Sequence, residues 1–221
     1  MIAAALEELD ARDDLAAAVL TGAGGVFCAG MDLKRLAAGE LAHVPGRGFG
    51  GLVEAPPRKP LVAAVEGYAI GGGFELVLAC DMVVAAEGST FALPEVRRGI
   101  VARAGGVVRL PRRLPRAVAL EMLLTGRSLT AHRAHHFGLV NEVVPGGQTL
   151  PAAKALACAV ADNAPLAVAA TKRLVLESES WPAEELLARQ APITDPVFAS
   201  DDAAEGARAF IKKRAPVWTG R

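Results

Sequence analysis

Two glutamates of this sequence have the surroundings that acid–base chemistry requires. Glu75 lies in the run Gly71-Gly-Gly-Phe-Glu75, and Glu95 follows Pro94 at the end of a short apolar run. Carboxylates placed among apolar residues are costly unless they are paired or titrate unusually, and general acids and bases are made in this way. The alternative interpretation is that Glu75 stabilises its helix dipole and Glu95 lies in a surface loop. The pattern by itself leaves both interpretations open.

The stretch from residue 60 to residue 81 predicts how Glu75 is positioned. Leu61–Val65 is an apolar run of strand length, the glycines form a turn, and a helix opens at them. Because glycine has no Cβ, the backbone there can approach a ligand closely. The first turn of a helix also presents N–H groups that lack intrahelical acceptors. We therefore predict that the Glu75 carboxylate and the Gly72 N–H face one small space, which is a candidate reaction centre.

Nucleotide binding of the common kinds is not predicted. Neither Gly22–Phe27 nor Gly71–Leu76 supplies the third glycine of the dinucleotide-binding pattern G-x-G-x-x-G. No Lys-Ser/Thr pair follows either stretch, so a P-loop is not predicted either.

Charge and histidine patterns argue against nucleic-acid and metal sites. The chain has 24 basic and 24 acidic residues, so no net charge attracts nucleic acid or membrane. The arginine-rich stretch 97–116 offers an RNA-binding hypothesis, but it lacks interleaved aromatic residues. His132, His135 and His136 have no cysteine nearby, which favours a solvated helix face over a metal site.

The cysteines and the apolar runs predict a cytoplasmic protein that does not interact with membranes. Cys28, Cys80 and Cys158 are odd in number and far apart, as is typical of reduced thiols. No apolar run is long enough to span a bilayer, and the first residues lack the pattern of a signal peptide.

The order of apolar runs and breakers predicts an α/β fold followed by a helical layer. Strands are predicted at residues 16–20, 61–65, 82–86, 90–93 and 139–144. Helices are predicted at residues 1–14, 32–36, 104–113, 115–125 and 130–138, and beyond Pro145 with breaks at Pro165, Pro182 and Pro196. The Gly- and Pro-rich segment 39–57 is predicted to be a loop that encloses at most a short helix.

Several motifs in this order and spacing resemble the crotonase (enoyl-CoA hydratase/isomerase) superfamily, and together they cover nearly the whole chain. They are Val26-Phe-Cys-Ala-Gly-Met-Asp-Leu33, Ala64-Val-Glu-Gly-Tyr-Ala-Ile-Gly-Gly-Gly-Phe-Glu75, Leu93-Pro-Glu95, Leu124-Thr-Gly126, Gly138-Leu-Val-Asn141 and Lys213-Arg-Ala-Pro216.

The resemblance implies an architecture. Residues 1–145 would form a ββα spiral core, and residues 146–221 a helical trimerisation region, with trimers often paired as hexamers. Members of the family usually begin with two strands ahead of the helix that we assign to residues 1–14. We therefore expect those strands to be missing, and the sheet edge they would flank to be covered in another way.

The resemblance also implies residue roles. The backbone N–H groups of Met31 and Gly72 would form an oxyanion hole for an acyl-CoA thioester carbonyl. Glu75 would deprotonate a water that attacks C3, and Glu95 would exchange a proton at C2. The acyl-CoA would lie along Ala29, Asp32, Leu33 and Lys34, with Lys213 contributed by a neighbouring subunit.

The implied reaction is the hydration of trans-2-enoyl-CoA, which needs no metal and no cofactor because coenzyme A is part of the substrate. Keeping both glutamates favours hydration over isomerisation, since isomerases of the family usually retain only the carboxylate at the Glu95 position. An isomerase or another lyase that uses Glu95 alone is the enzymatic alternative. A non-catalytic acyl-CoA-binding protein is the other alternative, and acyl chain length stays open because segment 39–57 is expected to shape that pocket.

Overall fold

Short strands alternate with helices as far as residue 144 in the computed structural model, which describes residues 1–32, 38–39 and 42–221. The strands are β1 (Ala18–Thr21), β2 (His43–Val44), β3 (Gly48–Phe49), β4 (Leu61–Val65), β5 (Tyr68–Ile70), β6 (Met82–Ala86), β7 (Thr90–Ala92), β8 (Leu129–Thr130) and β9 (Glu142–Val144). The helices are α1 (Ile2–Ala11), α2 (Gly72–Leu78), α3 (Gly106–Arg113), α4 (Arg116–Thr125), α5 (Ala131–His136), α6 (Thr149–Ala161), α7 (Pro165–Ser178), α8 (Leu186–Phe198) and α9 (Asp201–Ile211). Short 3-10 turns span Glu95–Arg98 and Ala183–Glu185.

The larger sheet is parallel and has the strand order β1-β4-β6-β9. Every residue of β4 is buried, which explains why this strand reads as a continuous apolar run. Helix α6 packs on one face of the sheet, where Val62, Ala64 and Val84 meet Ala153. The main core, which includes Phe74 of α2, lies on the other face.

A smaller sheet of order β5-β7-β8 sets the geometry of the candidate site. Strands β5 and β7 run parallel, with Ile70 opposite Ala92. The Gly71 N–H extends this pairing by donating to the Ala92 carbonyl at 2.8 Å. Because parallel strands end at the same edge, the glycine turn after β5 and Glu95 after β7 come together there.

Most of the predicted elements are found, with three kinds of difference. Strands β5 and β8 are present but were not predicted from the sequence. The segment predicted as a loop with at most a short helix contains the antiparallel pair β2 and β3. The predicted break at Pro196 is wrong, because Pro192 and Pro196 both lie inside α8. Both prolines are exposed, and each lacks the N–H that would donate to the carbonyl four residues earlier in the helix. The helix predicted at residues 32–36 lies outside the described residues, apart from Asp32.

A mostly buried ion pair connects the C-terminal helices to the larger sheet. Lys172 of α7 lies 2.6 Å from an Asp81 carboxylate oxygen and donates to the Lys59 carbonyl at 3.0 Å. The same Asp81 oxygen accepts from the N–H of Leu61, the first residue of β4, at 2.7 Å. The division of the chain at residue 145 stays a prediction.

Length and hydropathy give no membrane-spanning helix among the residues that the structure describes. Helices α6 and α7 reach the length and hydropathy of a membrane-spanning helix only when they are counted together, and they are bent by 107° relative to each other.

Candidate active site

The turn from β5 into α2 needs glycine for two different reasons. Gly71 has φ 57° and ψ −127°, a backbone conformation that residues with a Cβ rarely adopt. Gly72 has no such constraint, but a Cβ there would lie 2.5 Å from the Phe49 ring. The ring therefore packs directly on the backbone at the first residue of the helix. The backbone conformation of Gly71 and the close contact of Gly72 with the Phe49 ring explain why glycines follow one another in this turn.

The segment before Met31 runs beside β5 and reaches the same turn. Ile70 donates to the Cys28 carbonyl at 3.0 Å, and Cys28 forms a parallel bridge to the small sheet. A Cβ built on Gly30 would lie 3.0 Å from the Gly72 nitrogen, so the two backbones are in contact. Met31 and Gly72 consequently line one cavity. Gly72 lies in the first turn of α2, where N–H groups have no acceptor within the helix.

Glu75 is buried, with only 3% of its surface exposed. One carboxylate oxygen accepts a hydrogen bond from the Gly106 N–H at 2.9 Å. Burial raises the pKa of Glu75, and the neighbouring Glu95 charge raises it further. The backbone N–H groups of Gly106 and Ala104, together with the Arg109 charge, oppose that rise by favouring the ionised carboxylate.

Glu95 opens the 3-10 turn after β7 and is half-buried. Its Oε2 atom is buried and has no hydrogen-bond partner among the residues that the structure describes. Burial raises the pKa of Glu95, while its own backbone N–H and the charge of Arg98 lower it. A Cβ on Gly71 would lie 3.0 Å from its Oε1 atom, so this carboxylate faces the glycine turn.

Both carboxylates line a cavity of about 350 Å³. The other lining residues are Ala29, Gly30, Met31, Ala42, His43, Phe49, Glu54, Ile70, Gly71, Gly72, Pro94, Arg98, Ile100, Val101, Ala102, Arg103 and Ala104. The walls are mostly apolar and the polar groups are few, which is typical of small-molecule sites.

The predicted site residues divide into three groups. Glu75, Glu95, Met31, Gly72 and Ala29 line the cavity. Asp32 is not among its lining residues, and Leu33 and Lys34 lie outside the described residues. Lys213 follows α9 with φ 50° and does not line the cavity of its own chain. The assignment of Lys213 to a neighbouring subunit stays a prediction, as do the roles of all these residues.

Three further lining residues were not singled out from the sequence. His43, Phe49 and Glu54 belong to the segment of β2, β3 and the turn after them, where only a loop was expected. His43 Nδ1 lies 4.0 Å from a Glu54 carboxylate oxygen. No local sequence pattern predicts that these three residues line the cavity, because the β2–β3 hairpin and the turn after it bring them there.

Gly106 was also missed as a partner of Glu75. The signal that could have found it is Gly105-Gly106 at the start of a helix, which repeats the arrangement at residues 71–72. Gly105 has φ 101° and is the N-cap residue of α3, and the N–H of Gly106, the first residue of this helix, points toward Glu75.

The arginine-rich stretch is partly structural. Arg97, Arg109 and Arg113 donate to the backbone carbonyls of Thr125, Val53 and Cys80, respectively. The described residues contain no group of three or more side chains that could hold a metal ion. His135 instead hydrogen-bonds to the Val140 carbonyl at 2.9 Å.

The arrangement suits proton transfer beside a carbonyl group. The two carboxylates have raised pKa values, which brings them nearer to neutral pH than ordinary glutamates. N–H groups at a helix start are the donors that stabilise negative charge on a carbonyl oxygen.

Comparison with known proteins gives matches over the whole chain. The sequence model of the family described as enoyl-CoA hydratase/isomerase matches residues 1–221. The carnitinyl-CoA dehydratase of Proteus mirabilis (strain HI4320) is 46% identical over 220 residues, which cover 95% of this chain and 84% of that protein. The carnitinyl-CoA dehydratase of Salmonella typhi is 46% identical over 224 residues, covering 96% and 85%.

Solved structures match equally well. The structure of enoyl-CoA hydratase EchA1 from Mycobacterium marinum has a TM-score of 0.97 and 55% identity, and the match covers 100% of this chain and 87% of that one. The structure of carnitinyl-CoA hydratase from Mycobacterium avium has a TM-score of 0.77 and 46% identity, with the same coverage.

Proposed function

The chain belongs to the enoyl-CoA hydratase/isomerase family, and we propose that it catalyses the reversible hydration of a trans-2-enoyl-CoA to the 3-hydroxyacyl-CoA. The observation that carries this proposal is the pair of cavity carboxylates, Glu75 and Glu95, beside the glycine turn at the start of α2. A dehydratase catalyses the same reaction in the opposite direction, so one site serves both.

The thioester carbonyl is proposed to bind between the N–H groups of Met31 and Gly72. Addition of water to C3 moves negative charge through C2 onto the carbonyl oxygen, where two N–H donors stabilise it. Removing one such donor typically costs on the order of 100- to 1000-fold in kcat. The contact between the Gly30 and Gly72 backbones supports this arrangement, because it brings both segments to one point of the cavity.

Glu75 is proposed to take a proton from the attacking water, whose oxygen forms the new bond to C3. The bonds of Glu75 to backbone N–H groups favour its ionised form, as a base requires.

Glu95 is proposed to deliver a proton to C2, which completes the addition across the double bond. Its buried Oε2 atom lacks a donor among the described residues, which favours the protonated form that an acid requires. Glu95 thus gives up one proton and Glu75 gains one, and exchange with water restores both.

The test is a spectrophotometric assay of crotonyl-CoA hydration, in which the absorbance of the conjugated enoyl thioester disappears. Glu75→Gln and Glu95→Gln are each expected to lower kcat by on the order of 100- to 10,000-fold, because each removes a proton-transfer group. Glu87→Gln is the matched control, since Glu87 is exposed and does not line the cavity.

If the wild-type protein leaves 2-enoyl thioesters untouched and converts 3-enoyl ones, the isomerase alternative replaces hydration. Tight binding of an acyl-CoA with no turnover of either substrate would instead support a non-catalytic binding protein.

A second candidate is the dehydration of a 3-hydroxyacyl-CoA that carries a quaternary ammonium group, as the names of the carnitinyl-CoA dehydratases suggest. Glu54 is the observation that favours it, because this carboxylate lines the cavity and has only His43 as an ion-pair partner among the described residues. Phe49 adds an aromatic ring to the same cavity, and aromatic rings attract ammonium groups.

Comparing trimethylammonio-crotonyl-CoA with crotonyl-CoA tests this candidate. Glu54→Gln is expected to reduce kcat/KM roughly tenfold for the cationic thioester, which corresponds to about 1.4 kcal/mol. The value for crotonyl-CoA should change little. An equal loss for both thioesters would contradict a cation-binding role for Glu54.

We also propose that the protein resides in the cytoplasm and assembles as a trimer or a dimer of trimers. Three cysteines without disulfides, Cys28, Cys80 and Cys158, support the location. The proposed reaction requires no metal and no cofactor, because the thioester of coenzyme A is part of the substrate.

A further inference from the structure

Arg109 connects two parts of the cavity wall that are distant in sequence. It lies on α3 and is half-buried, and its Nη2 atom donates to the Val53 carbonyl at 2.6 Å. Its Nη1 atom donates to the Ala104 carbonyl at 3.4 Å. A Cβ on Gly105 would overlap this guanidinium group, so the group packs directly over the backbone turn. One side chain thus fixes segment 53–54 against turn 104–106.

The turn that Arg109 holds is the one that binds Glu75. The Gly106 N–H donates to the Glu75 carboxylate at 2.9 Å. A Cβ on Gly106 would lie 3.0 Å from the same oxygen, so the turn and the carboxylate are in direct contact. A displacement of turn 104–106 would therefore move or release the carboxylate.

We propose that Arg109 is a positioning residue for the reaction, which keeps Glu75 in place through turn 104–106 and keeps the Glu54 wall of the cavity closed through Val53. The inference rests on the proposed function, in which Glu75 is the base. Arg109 does not line the cavity, so it acts through backbone and charge and not by touching the substrate.

The charge of Arg109 supports this role. Arg109 from α3 and Glu95 from the 3-10 turn are the charged groups that act on the pKa of Glu75, and they act in opposite directions. The remaining charged or titratable groups around the cavity are His43, Glu54, Arg98 and Arg103. Since a nearby cation stabilises a carboxylate, loss of the Arg109 charge should make Glu75 easier to protonate.

The same helix provides a matched control one turn further on. Arg113 is part-buried like Arg109 and donates to a backbone carbonyl, that of Cys80, at 3.0 Å. Neither Arg113 nor Cys80 lines the cavity. A substitution of Arg113 therefore removes a comparable structural contact without touching Glu75 or its turn.

The experiment measures kcat/KM against pH for wild type, Arg109→Gln, Arg109→Lys and Arg113→Gln. Arg109→Gln is expected to lower kcat/KM by on the order of 100-fold, as small misplacements of catalytic groups do. Its acid limb should shift to higher pH, because Glu75 has lost a stabilising cation. Arg109→Lys should keep the acid limb at the same pH, because it retains the charge. It should show a lower kcat, because it loses the pair of hydrogen bonds to the Val53 and Ala104 carbonyls.

Equal shifts in Arg109→Gln and Arg113→Gln would overturn the proposal, because they would indicate general loosening of α3. An unshifted acid limb in Arg109→Gln would overturn it too. If Arg109→Gln does not fold, Arg109→Lys decides, and a kcat equal to that of wild type would contradict a positioning role.

A readout that needs no turnover separates this inference from the proposed function. Carbon-13 NMR of protein labelled in its glutamate carboxyls gives the titration of Glu75, assigned by the signal that Glu75→Gln removes. Arg109→Gln should raise the pKa of Glu75, and Arg113→Gln should leave it unchanged. A shift with no enoyl-CoA activity in wild type would refute the proposed function while supporting the link between Arg109 and Glu75.

Discussion

At the scale of single residues, the two cavity glutamates differ in what surrounds the carboxylate. Glu75 accepts a hydrogen bond from the Gly106 N–H, whereas the Oε2 atom of Glu95 has no donor among the described residues. Hydrogen bonds to the ionised form favour ionisation, so the buried Oε2 atom without a donor favours protonation of Glu95 and outweighs the opposing effect of its own backbone N–H. This difference gives a physical reason to assign the base to Glu75 and the acid to Glu95.

The first prediction concerns the pH dependence of kcat/KM for hydration, which should be bell-shaped. Activity should fall on the acid side as the base becomes protonated, and on the alkaline side as the acid loses its proton. Burial raises the pKa of both groups, so the pH range of highest activity should lie above 4.5, which is the ordinary pKa of a glutamate side chain. The two limbs describe the coupled pair, and Glu75→Gln should abolish the acid limb. A flat profile between pH 4.5 and neutrality would contradict the assignment.

The second prediction concerns stability, measured by urea unfolding of Glu95→Gln. The folded-state pKa of Glu95 is raised, so its favourable protonated state is fully present below 4.5 and is lost as pH rises through the folded value. Wild type should therefore match the variant in unfolding free energy at low pH and be less stable than the variant at neutral pH. Glu87→Gln, at an exposed position, should show no such pH dependence.

At the scale of elements, the start of α2 combines a backbone donor with a tightly packed ring. The third prediction is that Gly72→Ala disrupts this start, because the new Cβ would lie 2.5 Å from the Phe49 ring. The substitution should cost roughly 1 to 3 kcal/mol in unfolding free energy. It should also reduce kcat/KM by on the order of 100-fold.

The control for this prediction is Gly88→Ala, since a Cβ on Gly88 meets nothing within 4 Å. Adding Phe49→Ala to Gly72→Ala should recover part of the lost stability by removing the overlap. If the stability losses of Gly72→Ala and Phe49→Ala simply add in the double variant, overlap with the ring is not the cause of the loss in Gly72→Ala.

The fourth prediction concerns the connection of α7 to the larger sheet. Lys172→Ala leaves the Asp81 charge without its cation at a site where these side chains are 9% and 22% exposed. Breaking such a pair should cost about 3 kcal/mol in unfolding free energy. The neighbouring pair of Arg173 and Glu177 is 59% and 43% exposed, so Arg173→Ala should cost less than about 0.5 kcal/mol. Equal losses of unfolding free energy in Lys172→Ala and Arg173→Ala would contradict a stabilising role for the buried pair.

At the scale of the whole molecule, the C-terminal helices expose large apolar side chains. Leu187 and Ile211 are both 79% exposed, Phe198 is 83% exposed and Phe210 is 86% exposed. Clusters of exposed apolar residues are typical of surfaces that bind another protein. We therefore expect these residues to be covered in an assembly of identical chains.

The fifth prediction is that the protein sediments as an assembly of three or six chains and not as a monomer. Replacing Phe210 by Glu should weaken the assembly if that side chain is covered by a neighbour, because burying a charge there is unfavourable. A monomer of 22.8 kDa over the whole concentration range would contradict the prediction.

The sequence by itself determined most of the elements and one half of the site. Continuous apolar runs at residues 61–65 and 82–86 specify buried strands, and the structure has strands with those bounds. The glycines before Glu75 specify a helix start beside a carboxylate. These features depend on neighbours in the chain, so local composition and spacing suffice to find them.

The tertiary structure decided which distant residues meet. Pairing of β5 with β7 brings Glu95 to the glycine turn, and the Gly106 N–H reaches Glu75 from a helix 31 residues away. The hairpin of β2 and β3 adds Phe49 and the nearby Glu54 to the cavity. Contacts of this kind depend on strand pairing and packing between separate elements, which no local pattern encodes.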